Sequence, residues 1–359
     1  MAVRPTGSLP FDDLLARLRS SAAELEAPHA WPREQFDWLA AANVLRWVIP
    51  AQYTGIDATP LRLLEGYEQL AAACLVTTFV LTQRNGACQR LAGDEVDPVV
   101  QQEFLPPLAA GELFATVGIS HLSTSRQHIG QPAVRIRRDG DDLLLAGDVP
   151  WVTGGPQADL VVTGGTFEDG RQGLVLLPTA ERGVICGPPA ALLSLTASQT
   201  ASLTLDDVRL PGHYLLAGPA EGIMRRGAGG TGSITTSALA AGVASRAIEA
   251  LRSEASLRRD LLEPTTALSD ELTRLRSDLR AAAAASDERP ACSPADLRKR
   301  ANSLVLRSAQ AWLTASKGAG FVTGHPAERT VREALFFLVW SCPQPVAAAA
   351  LRHFACLGG

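Results

Sequence analysis

The chain has 359 residues, more than one hydrophobic core usually serves, so two or three domains are expected. Hydrophobic residues make up 46% and charged residues 19%, and the formal net charge is −4, which describes a globular protein without the basic field that nucleic acid requires. No charged segment followed by an apolar one opens the chain and no apolar run reaches the ~18 residues of a membrane span, so the cytoplasm is the expected compartment. The six cysteines (Cys74, Cys88, Cys186, Cys292, Cys342 and Cys356) stand singly, a distribution that argues against a disulfide framework or a structural zinc; no metal is expected.

From Phe11 to about Gly111 the pattern is helical. Apolar residues three and four apart follow Phe11, and Trp31-Pro32-Arg33 opens a second run with proline near its first turn. Val48 to Pro60 is a loop punctuated by Gly and Pro. Leu61 to Leu81 is expected as one long helix with Glu65 and Glu68 toward solvent, and Gln101 to Leu108 as a short last helix ended by Gly111.

At Phe114 the period changes to alternation. Strands are expected over 114–119, 133–137, 143–146, 160–163, 173–177 and 201–205, separated by turn residues at the intervals of a small barrel or sandwich. After Gly218 helices return, over 237–252, 268–285 and 296–316. The expected fold is therefore α+β and multidomain: an N-terminal helical domain (1–112), a central β-barrel or sandwich (113–217) and C-terminal helices (218–359). A doubly wound dinucleotide fold is excluded, because strands do not alternate with helices and no GxGxxG follows a strand.

Within the β region, Gly147 to Asp159 (GDVPWVTGGPQAD) stands out. Trp151 and Thr153 sit at the mouth of a glycine turn, where an indole face, a hydroxyl and free backbone N–H groups would suit a planar ring with polar edges. Trp151 as an ordinary core-filling sheet residue is the competing reading.

Several segments in order resemble the acyl-CoA dehydrogenase superfamily over nearly the whole chain: VIPAQYTGID (48–57), FATVGISHLSTSR (114–126), GDVPWVTGGPQAD (147–159), SLTASQTASLTLDDVRLPGHYLL (194–216) and KGAGFVTGHPAERTVREA (317–334). The resemblance implies a C-terminal four-helix bundle behind the β domain, with FAD between the two and a neighbouring subunit of a homodimer or homotetramer closing over its far end. By motif position it places Trp151 and Thr153 along the flavin ring and Ser125 near the ring or acyl group. It places Arg258 at the pyrophosphate of a neighbouring subunit's FAD, with Gly318 and Gly320 allowing close backbone approach. The implied substrate is an acyl-CoA or acyl-carrier thioester, and the implied electron acceptor another flavoprotein or a reductase. Arg258 as a solvated helix residue, and the two glycines as a helix-terminating turn, remain the plain alternatives.

The chain departs from the family where its chemistry is decided. The family's reaction uses a carboxylate base over the carbon that loses its proton. Ser341 stands where most members have that Glu, and a second position used by some branches falls near Gly232. A serine hydroxyl is a weak base without activation. Ile119 replaces the Thr of the family's TEP segment and His121 its Pro, Thr196 stands where Arg is common, and Lys317 replaces a Gly of the GG pair. His121 is a candidate replacement acid/base or a hydrogen-bonded structural residue. Cys342 is a candidate nucleophile or a packed, inert thiol. Three functions follow: an FAD-dependent oxidoreductase acting on an acyl thioester with a non-standard or relocated base, a flavin-dependent monooxygenase of the same superfamily, or a non-catalytic descendant that binds an acyl thioester or a partner.

Overall fold

The computed structural model describes residues 8–123, 131–225, 234–284 and 292–357. The N-terminal helices are α1 (Phe11–Ser21), α2 (Arg33–Ala41), α3 (Pro60–Ala73), α4 (Leu75–Leu91) and α5 (Pro98–Ala110). Leu14 and Leu18, one helical turn apart, fix the buried face of α1. Thr59 caps α3, its hydroxyl accepting from the Arg62 amide at 3.3 Å, and Asp97 caps α5 through the Val99 amide at 2.8 Å.

The single helix expected over Leu61–Leu81 is in fact two. Cys74 is extended (φ −152°, ψ 108°), and a new helix starts at Leu75. Thr78 donates its hydroxyl to the Cys74 carbonyl at 2.8 Å, and the Thr77 hydroxyl lies 3.2 Å from the Cys74 sulfur, so local side-chain bonding competes with helix continuation. The expectation for Glu68 is also corrected. Rather than facing solvent, it is largely buried against Arg276 of the C-terminal region, while the more exposed Glu65 pairs with Arg280 at 3.0 Å.

Among the described residues eight strands form one mixed sheet: β1 (Ala115–Val117), β2 (Val134–Asp139), β3 (Asp142–Val152), β4 (Leu160–Thr166), β5 (Gln172–Pro178), β6 (Val184–Cys186), β7 (Ala201–Pro211) and β8 (Leu215–Ala220). The order is β6-β7-β3-β2-β4-β5-β8, with β1 added in parallel to β4. Alternation along β4 decides its two faces: Leu160 and Val162 join the core shared with the helices, and Val161 joins a second core made almost entirely by the sheet. A sheet that buries one face on itself is curved, and β-bulges within the β3–β7 and β5–β8 pairings supply that curvature. The four-residue helix α6 (Ser120–Ser123) follows β1.

The C-terminal bundle is α7 (Ile234–Ala255), α8 (Leu262–Ala284) and α9 (Pro294–Ser316), with α10 (Pro326–Phe336) and α11 (Gln344–Phe354) against α9. Small residues along α7 let it approach α3 closely. A Cβ on Gly242 would lie 2.2 Å from the Glu68 carbonyl oxygen. One core then runs continuously through the N-terminal helices, one sheet face and the bundle. Among the described residues no helix is long and apolar enough to cross a membrane, and all six cysteines are free thiols.

Candidate functional site

Gly147 begins the strand end that presents Trp151. Its φ of +131° and the 2.0 Å separation between a would-be Cβ and the Ala133 carbonyl oxygen leave room only for glycine. Beyond it Val149 and Val152 are fully buried, whereas Trp151 is 49% exposed. Trp151 therefore does not fill a core; its indole forms a face on the protein surface. Thr153, two residues on and only 5% exposed, accepts a hydroxyl hydrogen bond from Thr200 at 3.4 Å; the Thr200 hydroxyl in turn lies 2.9 Å from that of Ser198. Gly154 (φ +69°) donates its amide to the Ser198 carbonyl at 2.8 Å, and a Cβ there would strike Trp31 and Phe114. Those two rings meet edge-on at 5.3 Å, and Gln199 donates to the His29 and Ala30 carbonyls at 3.1 Å each. The connection that leads into α2 thus braces the turn, while the indole remains half exposed.

His121 lies on α6 and is buried. Its Nε2 is 2.9 Å from the Gly164 carbonyl oxygen, a geometry that places the ring proton on Nε2, donating to β4. With the Thr163 hydroxyl donating to the Gly118 carbonyl at 2.7 Å, this bond ties the β1–α6 segment to β4. Ser125 and Gly232 lie outside the described residues.

Ser341 occupies a left-handed turn (φ +42°) just past α10. That turn is held from α9: Arg298 donates to the Phe337 and Trp340 carbonyls at 3.2 and 2.8 Å, and Asn302 to the Phe337 carbonyl at 2.9 Å. Arg298 is fully buried, and desolvation pushes its guanidinium pKa down to about 10. Burial raises the Cys342 thiol pKa despite the opposing Arg298 charge, so at neutral pH the thiol keeps its proton and is a poor nucleophile. Phe79 of α4 packs edge-on against Phe336 and Trp340 at 4.9 and 5.0 Å beside this turn. The buried carboxylate of α10, Glu333, is committed to an ion pair with Arg246, which also donates to the Thr330 hydroxyl at 3.0 Å.

The cationic end of the candidate site is an open cleft of about 630 Å³ at the end of the bundle, lined among others by Glu254, Arg258, Trp312, Lys317 and His325. Arg258 donates to the Ala315 carbonyl at 2.7 Å and meets Asp260 at 3.2 Å, while remaining 29% exposed. Arg258 and the glycine segment are therefore neighbours. Nothing lies within 4 Å of a would-be Cβ on Gly318; on Gly320 it would come 2.6 Å from the Ser316 Cβ, so internal packing demands Gly320. Lys317 adopts φ +53°, ψ −146°, close to a backbone region that is essentially glycine-only and costs an L-residue about 1–3 kcal/mol. His325 caps α10, its Nδ1 accepting from the Ala327 amide at 3.1 Å.

The proposed residues thus fall into separate groups. Trp151 lies at the end of β3 with Thr153 in the turn that follows, Ser341 beside the aromatic cluster, and Arg258 in the bundle-end cleft beside the segment that holds Gly318 and Gly320. The brace at Gln199, the Arg298 clamp and the Lys317 backbone were not legible in the sequence, since each depends on a contact or a dihedral angle rather than on residue type; only the Lys-for-Gly departure at 317 marked one of them.

The family description "Acyl-CoA dehydrogenase, N-terminal domain" matches residues 14–112. The mitochondrial short-chain specific acyl-CoA dehydrogenase of Mus musculus is 24% identical over 332 residues, covering 87% of this chain and 80% of that protein. FkbI, a protein for biosynthesis of the methoxymalonyl extender unit of a polyketide, superposes with a TM-score of 0.80 at 22% identity, over 98% of this chain and 100% of that one. A glutaryl-CoA dehydrogenase from Mycobacterium smegmatis in complex with FADH2 gives a TM-score of 0.80 at 20% identity, over 95% and 94%. A family match on the N-terminal helices, a curated relative along most of the chain and a shared fold from end to end converge: residues 14–112 carry the acyl-CoA dehydrogenase N-terminal domain, and the whole chain has the acyl-CoA dehydrogenase fold.

Proposed function

We propose that the chain is an FAD-dependent oxidoreductase that acts on an acyl thioester, with electrons passing to a second flavoprotein or a reductase. The half-exposed indole of Trp151 is the observation on which this reading rests: its neighbours Val149 and Val152 are buried, and a braced turn holds its face outward. The donor set fits the cofactor's parts. Trp151 would face the ring, the Thr153 hydroxyl would meet its polar edge, and Arg258 would meet the phosphates. When bound, the flavin supplies the hydride-accepting chemistry. The protein's own share is an apolar wall, hydrogen bonds at one ring edge and a cation at the distant diphosphate. The strand that carries Trp151 packs with other strands and with α6 while Arg258 belongs to the bundle's end, an arrangement that suits a homodimer or homotetramer in which one copy's cleft completes another copy's ring site.

The turn at Ser341 favours a second reading, flavin-dependent oxygenation. Ser341 offers a hydroxyl in place of a carboxylate, and the nearby Glu333 is held by Arg246, so no group here is ready to remove an α-proton. The purified protein is expected to be yellow, and Trp151→Ala to lose most of its flavin absorbance. A colourless wild type that gains no thermal stability from FAD would sink both flavin readings. With flavin present, anaerobic bleaching by acyl-CoAs selects the dehydrogenase, whereas reductase-dependent oxygen uptake without bleaching selects the oxygenase.

A further inference from the structure

We propose that Lys317 is a second diphosphate-binding cation, acting with Arg258 in the cleft at the end of the bundle; this rests on the flavin reading above and extends it to a residue that the family does not supply. The backbone comes first. At φ +53° and ψ −146° a glycine would be at ease, and a glycine is what the resembling family has, yet this chain places a lysine there. Strain of that kind persists where the surroundings or a ligand compensate it.

Charge decides what the lysine is for. Arg258 already spends donors on Ala315 and Asp260, and Glu254 adds a negative charge to the same lining. Taken alone, the arginine would only balance Glu254 in the cleft lining and leave a weak attraction for an anion. The Lys317 ammonium is exposed and makes no ion pair or hydrogen bond among the described residues. It is a strongly hydrated point charge on a flexible stem, suited to meeting a phosphate across an open cleft. The ligand class is a nucleoside diphosphate, here the ADP portion of the dinucleotide.

One competing role is purely structural: a lysine just past the C-terminus of α9 interacts favourably with the helix dipole. That role would alter the stability of the ligand-free protein and leave ligand affinity unchanged. The two roles separate by titrating full-length protein with ADP and with FAD at low and high salt. Lys317→Met should weaken both ligands by about tenfold, flatten the salt dependence, and be rescued by Lys317→Arg. Lys317→Gly should weaken both ligands equally while raising the ligand-free melting temperature. Wild-type affinity in Lys317→Met, with FAD still bound, would overturn the proposal and leave the flavin reading standing. Lys317-dependent ADP binding by a protein that takes no FAD would support the cation site and overturn the flavin reading. A protein that binds neither ligand overturns both.

Discussion

On the function proposed above, Ser341 is the side chain that would separate fold from reaction. Its backbone is positioned with care: Arg298 and Asn302 hold the carbonyls of Phe337 and Trp340, and the left-handed turn aims whatever residue follows Trp340. What the position lacks is a carboxylate, and a hydroxyl cannot replace one at neutral pH without an activating base. Neither neighbour supplies it, since Cys342 keeps its proton and Glu333 is bound to Arg246. Ser341→Glu should therefore restore α-proton abstraction if the rest of the site is intact, at a modest strain cost for φ +42°. General-base catalysis is worth roughly 10²–10⁴-fold, so anaerobic flavin bleaching by an acyl-CoA should accelerate by about that factor over wild type. Unchanged bleaching in a flavin-loaded Ser341→Glu protein would mean that the thioester does not reach this turn.

Among the elements, the contact of α3 with α7 brings the N-terminal helices onto the bundle. It depends on Gly242, where a side chain would meet the Glu68 carbonyl oxygen at 2.2 Å and the Ala71 Cβ at 3.1 Å. Gly242→Ala should push the two helices apart and cost about 1–3 kcal/mol, read as a lower melting temperature in the ligand-free protein. A stability equal to wild type would show that α3 can shift freely. Element types were largely legible because period and composition change sharply at Phe114 and again beyond Gly218. The break at Cys74 was hidden: α4 is buried on nearly all sides, so its sequence has no polar stripe to give away its phase. Strand β6 is three residues long with Ile185 and Cys186 exposed, and β8 includes Gly218 and Pro219, so neither shows clean alternation. At the site, Trp151 was legible as an aromatic beside a glycine turn, but its exposure depends on the brace from residues 29–31, far away in the chain.

Across the whole molecule, Arg332 fastens three regions at one point. From α10 it pairs with Glu328 on its own helix and with Glu26 of the N-terminal region, and it donates to the Leu193 carbonyl of the β region at 3.2 Å. The hydrogen bond from Arg332 is the main cause holding the Glu328 carboxyl below the usual carboxylate range. A carboxylate whose folded pKa is depressed adds stability above its unfolded value, about 4.3, and that stability is lost as pH falls through the folded value. Arg332→Gln should thus lower the melting temperature most at neutral pH, by the equivalent of about 1–2 kcal/mol after allowing for partial solvent screening. The gap to wild type should narrow as pH falls through the lowered Glu328 value, where Glu328 gains its proton and the arginine loses that charged partner. Melting curves of the two proteins between neutral pH and pH 3 decide the matter. A gap that stays constant with pH would assign the contribution of Arg332 to packing and to the Leu193 hydrogen bond instead of to its charge.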